Sequence, residues 1–204
     1  MNEIKNMPRE VVTGTATGLI FMSIFTVAWA CLANFGLQGN DDHIVLFAFT
    51  IPVLFYISQS VHIYRNANLF QPAGAEDAIE KKKKGKWFGI IFALEGVFIF
   101  LAINIVTWIG HAELTLPAMA LVVGLHFFPL AWVFERKIDY LLGSWATVVA
   151  LTAAYYAYHH LWNGYTIATV IGVGMALTTS AYAIYMITYG RKLLSGVKQQ
   201  PHYA

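Results

Sequence analysis

Lys81-Lys-Lys-Lys-Gly-Lys-Trp-Phe-Gly-Ile-Ile-Phe-Ala-Leu-Glu-Gly-Val-Phe-Ile-Phe100 sets a basic run directly against an apolar one. The apolar part continues to residue 109, and Glu95 is its single charged side chain. A helix needs about 20 predominantly apolar residues to cross the hydrocarbon core of a bilayer. Lysines clustered just outside such a segment hold that end on the cytoplasmic side, where each gains about 1 kcal/mol near anionic headgroups. The stretch therefore reads as a transmembrane helix with Lys81, Lys82, Lys83, Lys84 and Lys86 at an anionic lipid surface.

The rest of the chain repeats this pattern. Of its 204 residues, 58% are hydrophobic and 12% charged, with a mean hydropathy of +0.57. Soluble domains carry roughly 25% charged residues. Long apolar stretches near 11–35, 44–64, 87–109, 116–134, 141–161 and 165–189 account for the deficit. A soluble all-α protein is excluded, because too little polar surface remains to cover it. The expectation is an all-α polytopic membrane bundle of six transmembrane helices. It forms a single integral membrane domain over 1–204, with a cytoplasmic connection at 65–86.

All 13 Lys and Arg residues fall on alternate connections. Lys5 and Arg9 precede the first span; Arg65 and the lysine cluster lie between the second and third. Arg136 and Lys137 lie between the fourth and fifth, and Arg191, Lys192 and Lys198 follow the sixth. The positive-inside rule puts both termini in the cytoplasm and makes the chain a multi-pass protein of a plasma membrane. The first span carries Ala28-Trp-Ala30 before Cys31, as a signal peptide might end, but its apolar run is long for one, so it reads as an uncleaved span. Cys31 is the only cysteine, which excludes an intrachain disulfide, and a buried, inert thiol is expected.

Three helical hairpins, 1–2, 3–4 and 5–6, follow from short outer loops near Gly36–His43, Gly110–Thr115 and Leu161–Gly164. In the long connection, Gln71-Pro-Ala-Gly74 reads as a turn, and residues 75–84 read as a short surface helix, acidic first and basic last. Trp87 and Trp132 suit one membrane interface; Trp108, Trp162, Tyr155, Tyr156 and Tyr158 suit the other. The basic residues accompany no nucleic-acid-binding motif, so no nucleic acid is expected as a partner. Gly14-x-x-x-Gly18 permits close helix contact, within the chain or between protomers of a homo-oligomer.

An ionisable side chain inside a membrane is costly and marks a functional candidate. Glu95 lies about eight residues inside the third span, roughly 12 Å deep at 1.5 Å per residue. His126 lies at similar depth in the fourth span, so the two can pair and share a proton or an ion. Pro129 cannot donate to the carbonyl of Leu125, and Pro52 cannot donate to that of Ala48; kinks and free acceptors are expected at both. Asn104, Thr178, Thr179 and Ser180 add polar groups near mid-depth. Together with Glu95 and His126 they outline a polar site between helices 3, 4 and 6. The competing reading is structural: an interhelical hydrogen bond, with hydroxyls satisfying local carbonyls.

A second constellation lies on the outer loops. Asp41, Asp42, His43, His111, Glu113, His159 and His160 combine imidazole and carboxylate, the donor set for zinc or copper. Their spacing is no established ligand motif, and His43, His111, His159 and His160 are the candidate ligands. No phosphate-binding glycine loop, His-Glu-x-x-His or Gly-x-Ser-x-Gly is present, so no catalytic residue and no cofactor is named.

Gly124-Leu-His-Phe-Phe-Pro-Leu-Ala-Trp-Val-Phe134 resembles the fourth helix of a family of bacterial six-helix integral membrane proteins with no assigned activity. The resemblance covers helices 3–5 and rests on a Gly-x-His-x-x-Pro stretch. It implies a polytopic bacterial membrane protein, with Gly124, His126 and Pro129 as motif positions. The leading functional expectation is a small carrier, channel or solute-binding protein. A non-catalytic interaction or assembly subunit is the alternative, and a lipid-modifying enzyme stands third.

Overall fold

A computed structural model describes residues 8–198, apart from the side chains at 75–77, 81 and 198. Lys5 and the side chains of Lys81 and Lys198 thus lie outside the described residues. Regular structure among the described residues is all helical: α1 (Arg9–Leu37), α2 (Ile44–Arg65), α3 (Ala75–Trp108), α4 (Thr115–Phe134), α5 (Lys137–Tyr158) and α6 (Gly164–Lys198). Short 3-10 turns occupy Ala67–Leu69 and Ala112–Leu114. All six α-helices are long and apolar enough to cross a membrane.

The surface helix expected at 75–84 is not separate; it is the start of α3, which runs unbroken for 34 residues. Nothing in that stretch stops a helix. Gly85 costs a helix only about 1 kcal/mol, and Lys84 pairs with Glu80 one turn back at 2.7 Å. Lys82, Lys83 and Lys86 are exposed. The turn at 71–74 docks on the start of α1: Arg9 N–H donates to the Gln71 carbonyl at 2.8 Å, and Ala73 N–H to Glu10 Oε2 at 3.0 Å.

Each expected hairpin has its two helices in contact, but the most extensive packing crosses hairpin boundaries, between α1 and α6 and between α4 and α5. Small residues cause this. Helices in lipid associate by close packing, which small side chains allow. Gly172 of α6 lies so near α1 that a Cβ there would stand 2.7 Å from Ala33 Cα. Ala16, Ala30, Ala33, Ala168, Ala176 and Ala183 of these two helices are fully buried or nearly so. Gly18 receives Met186 of α6, whereas Gly14 has nothing within 4 Å. In the second interface, a Cβ on Gly124 of α4 would stand 2.8 Å from the Thr147 nitrogen of α5.

α6 is therefore the central helix and α3 the peripheral one: 61% of the most apolar window of α6 is buried, against 6% for α3. α3 packs on α4 and on the turn Ala112–Leu114, and on no other helix to a comparable extent. Cys31, expected to be buried, is exposed. The buried stripe of α1 runs through Leu19, Ser23, Thr26, Ala30 and Ala33, and Cys31 projects about 100° away from Ala30. Pro52 and Pro129 both lie inside helices that continue through them.

Candidate functional site

The α3–α4 contact is thin, and Glu95 and His126 sit in it. Ile91 of α3 and Leu130 and Val133 of α4 form the apolar cluster one turn away. His126 Nδ1 lies 3.4 Å from Glu95 Oε1, with side-chain exposures of 15% and 11%. The same Nδ1 is much closer to the backbone carbonyl of Val123. That carbonyl, and not the one of Leu125 that Pro129 deprives of its partner, is the principal acceptor for the imidazole. The His126 ring packs against Phe127, with centroids 4.4 Å apart.

The other residues of the expected intramembrane site go elsewhere. Asn104 is exposed and donates to the Phe100 carbonyl of its own helix at 2.7 Å. Thr178 donates to the Gly174 carbonyl at 2.9 Å. Thr179 shares a hydrogen bond with Thr26 of α1 at 2.8 Å. Ser180 is half-buried on α6. A polar site joining helices 3, 4 and 6 is thus not assembled: the α6 hydroxyls serve the α1–α6 interface and their own helix. The reason is angular and topological, since α3 is held away from α6 by α4.

The outer histidines also separate. Among the described residues no group of three or more His, Cys, Asp or Glu side chains is placed to hold a metal ion. His43 Nδ1 meets Asn34 Oδ1 at 2.7 Å. Asp41 is committed to the start of α2, accepting from the backbone N–H of Val45 at 2.9 Å and of His43 at 3.2 Å. His111 pairs with Glu113 at 2.8 Å. The His159 ring faces Tyr155, and His160 is held in the left-handed region at φ 53°. His43 stands apart at the α1–α2 loop, whereas the α3–α4 and α5–α6 loops are neighbours: the His111 ring lies 5.2 Å from that of Tyr158, and His160 is near enough to Glu113 to act electrostatically on its carboxyl.

One cluster escaped the sequence reading. Asp139, in the first turn of α5, is fully buried. Arg136 Nε donates to its Oδ2 at 3.1 Å, while Oδ1 has no hydrogen-bond partner among the described residues. The Arg136 guanidinium also lies over Phe134 at 4.4 Å and near the Tyr182 ring of α6 at 5.6 Å. Arg136 thus pins the α4–α5 turn to α6, besides contributing to topology. The signal was present as an Arg and an Asp three residues apart across a helix start.

Two surface concavities stand out. One, of about 480 Å³, opens at the α1–α2 loop between Asn34, Gln38, His43 and Tyr165. The other, of about 260 Å³, is an apolar groove between α1 and α2. Neither borders Glu95 or His126. Comparison with protein-family models, with curated proteins and with solved structures finds no match.

Proposed function

We propose that this chain is a small integral membrane carrier, channel or solute-binding protein that acts through Glu95 and His126. What carries the reading is a carboxylate and an imidazole facing each other between two apolar spans. Intramembrane ionisable groups are expensive and mark ion or proton paths by default. The site is narrower than a three-helix cavity and belongs to α3 and α4 alone. Its small residual exposure suits an ion-sized species and disfavours lipid chemistry, which needs room for a headgroup. In this reading both termini and Lys82–Lys86 face the cytoplasm, with the lysines on anionic lipid. The test is pH-driven uptake in proteoliposomes, run beside thermal unfolding. Glu95→Gln should abolish uptake and leave stability nearly unchanged. Glu95→Leu should abolish uptake as well, with the imidazole still held by the Val123 carbonyl.

A second reading, an assembly subunit, is favoured by α3 itself. Its Gly85, Gly89 and Gly96 have nothing within 4 Å. Such a face admits a partner helix at close range. Under this reading Glu95→Gln leaves every flux unchanged, and crowding substitutions at Gly89 or Gly96 alter the oligomeric state in detergent.

A further inference from the structure

We infer that the Glu95–His126 site takes a small monovalent cation that donates hydrogen bonds, a proton or an ammonium-type ion, and rejects anions. The inference rests on the reading of these two residues as the site of action, and follows from counting donors. A carbonyl oxygen carries no hydrogen, so the contact between His126 Nδ1 and the Val123 carbonyl requires the proton to be on Nδ1. Glu95 Oε1 lies 3.4 Å from the same nitrogen and makes no hydrogen bond to it. The neutral ring therefore presents a bare lone pair at Nε2. No hydrogen bond among the described residues reaches Nε2 or Glu95 Oε2. Every unused polar atom of the pair is an acceptor, and its one donor is spent on the backbone.

No cation among the described residues fills that role. Lys86, the nearest on α3, lies nine residues before Glu95, roughly 13 Å along the helix. α4 carries no other charged side chain. α5 brings Asp139, which is paired with Arg136, and α6 brings Tyr182, whose ring faces Phe127 at 6.1 Å. Neither forms a hydrogen bond or ion pair with Glu95 or His126. An anion would meet only lone pairs there. Calcium or magnesium would need about six oxygen ligands, and the pair offers two. A proton adds to Glu95 Oε2 or His126 Nε2 directly; an ammonium ion donates an N–H to the Glu95 carboxylate.

The experiment uses the full chain in phosphatidylethanolamine–phosphatidylglycerol vesicles, with ¹⁵N-labelled histidine. The Nδ1–H tautomer should be seen for His126. Its Nε2 resonance should move on acidification or with ammonium chloride, and stay still with sodium chloride. Methylammonium is the flux probe. Glu95→Gln should weaken the ammonium response about tenfold or more, the loss expected for a hydrogen bond to a charged acceptor. Response to acid alone assigns the proton as the source; an added response at constant pH assigns ammonium. An Nε2–H tautomer, a response to sodium or chloride, or no response to acid and ammonium overturns the inference. Binding without methylammonium or proton flux sinks the carrier reading and keeps the inference. Glu95-dependent chloride flux does the reverse.

Discussion

Gly172→Ala tests the packing that makes α6 the centre of the bundle. The new Cβ would stand 2.7 Å from Ala33 Cα and 2.8 Å from Ala33 Cβ, where ordinary contact begins at 3.4 Å. The atoms it meets are backbone and a methyl stub, so no rotamer can move aside. The Ala33 nitrogen is nearer still, so α1 and α6 must separate by more than the shortfall of about 0.7 Å at Ala33 Cα, along the largest interface among the described residues. Overpacking of this kind costs about 1–3 kcal/mol. Against it stands the better helix propensity of Ala, up to about 1 kcal/mol. Gly96→Ala is the matched control: the same chemistry on α3, with nothing within 4 Å of the added methyl. The control should be neutral or slightly stabilising. The two variants should therefore differ by about 2 kcal/mol, or roughly 4–8 °C in Tm for a chain of this size. Thermal unfolding in one detergent, followed by circular dichroism, reads the difference. A Gly172→Ala protein that melts at or above the Gly96→Ala protein would refute the close α1–α6 contact.

Three more outcomes are expected. A double-mutant cycle on Thr26→Val and Thr179→Val should give a coupling near 0.6 kcal/mol, the usual size of an interhelical hydrogen bond in a membrane; zero coupling would mean that the 2.8 Å contact is not made. Arg136→Leu should destabilise by about 3–5 kcal/mol, because it strands a fully buried carboxylate, and adding Asp139→Leu should restore most of the loss. A single variant no less stable than the double would contradict the pairing. In a Cys31→Ser background, Asn40→Cys and Asn163→Cys should label from outside intact cells, while Ala75→Cys should not; the opposite pattern would invert the proposed topology.

Much of the architecture was legible because membrane spans are written in composition. Six apolar runs gave six helices, and no tertiary information was needed to count them. The boundaries were less legible where polar residues continue a helix. α3 begins twelve residues before its apolar part, since lysines and one glycine do not break a helix. Glu95 and His126 could be placed at one depth from their distances to the helix ends.

What the sequence could not supply was the angle at which each helix meets its neighbours. Hydrophobic periodicity, the usual guide to a buried face, is weak when lipid is as apolar as the protein interior. Cys31 was misplaced for that reason, and the hydroxyls of α6 were drawn into a site they do not share. Long-range order also stayed hidden: α1 meets α6 through glycine and alanine, residues that carry little signal in an apolar chain. Asp139 stood outside every apolar run and drew no reading; folding buries it beside Arg136. The Val123 carbonyl was equally unreadable, because sequence spacing does not specify the His126 rotamer that reaches it. The sequence alone determined that the chain has six helices long and apolar enough to cross a membrane and that Glu95 and His126 lie deep within two of them. Only the packing of α4 between α3 and the rest decided that those groups meet each other and none of the remaining polar residues.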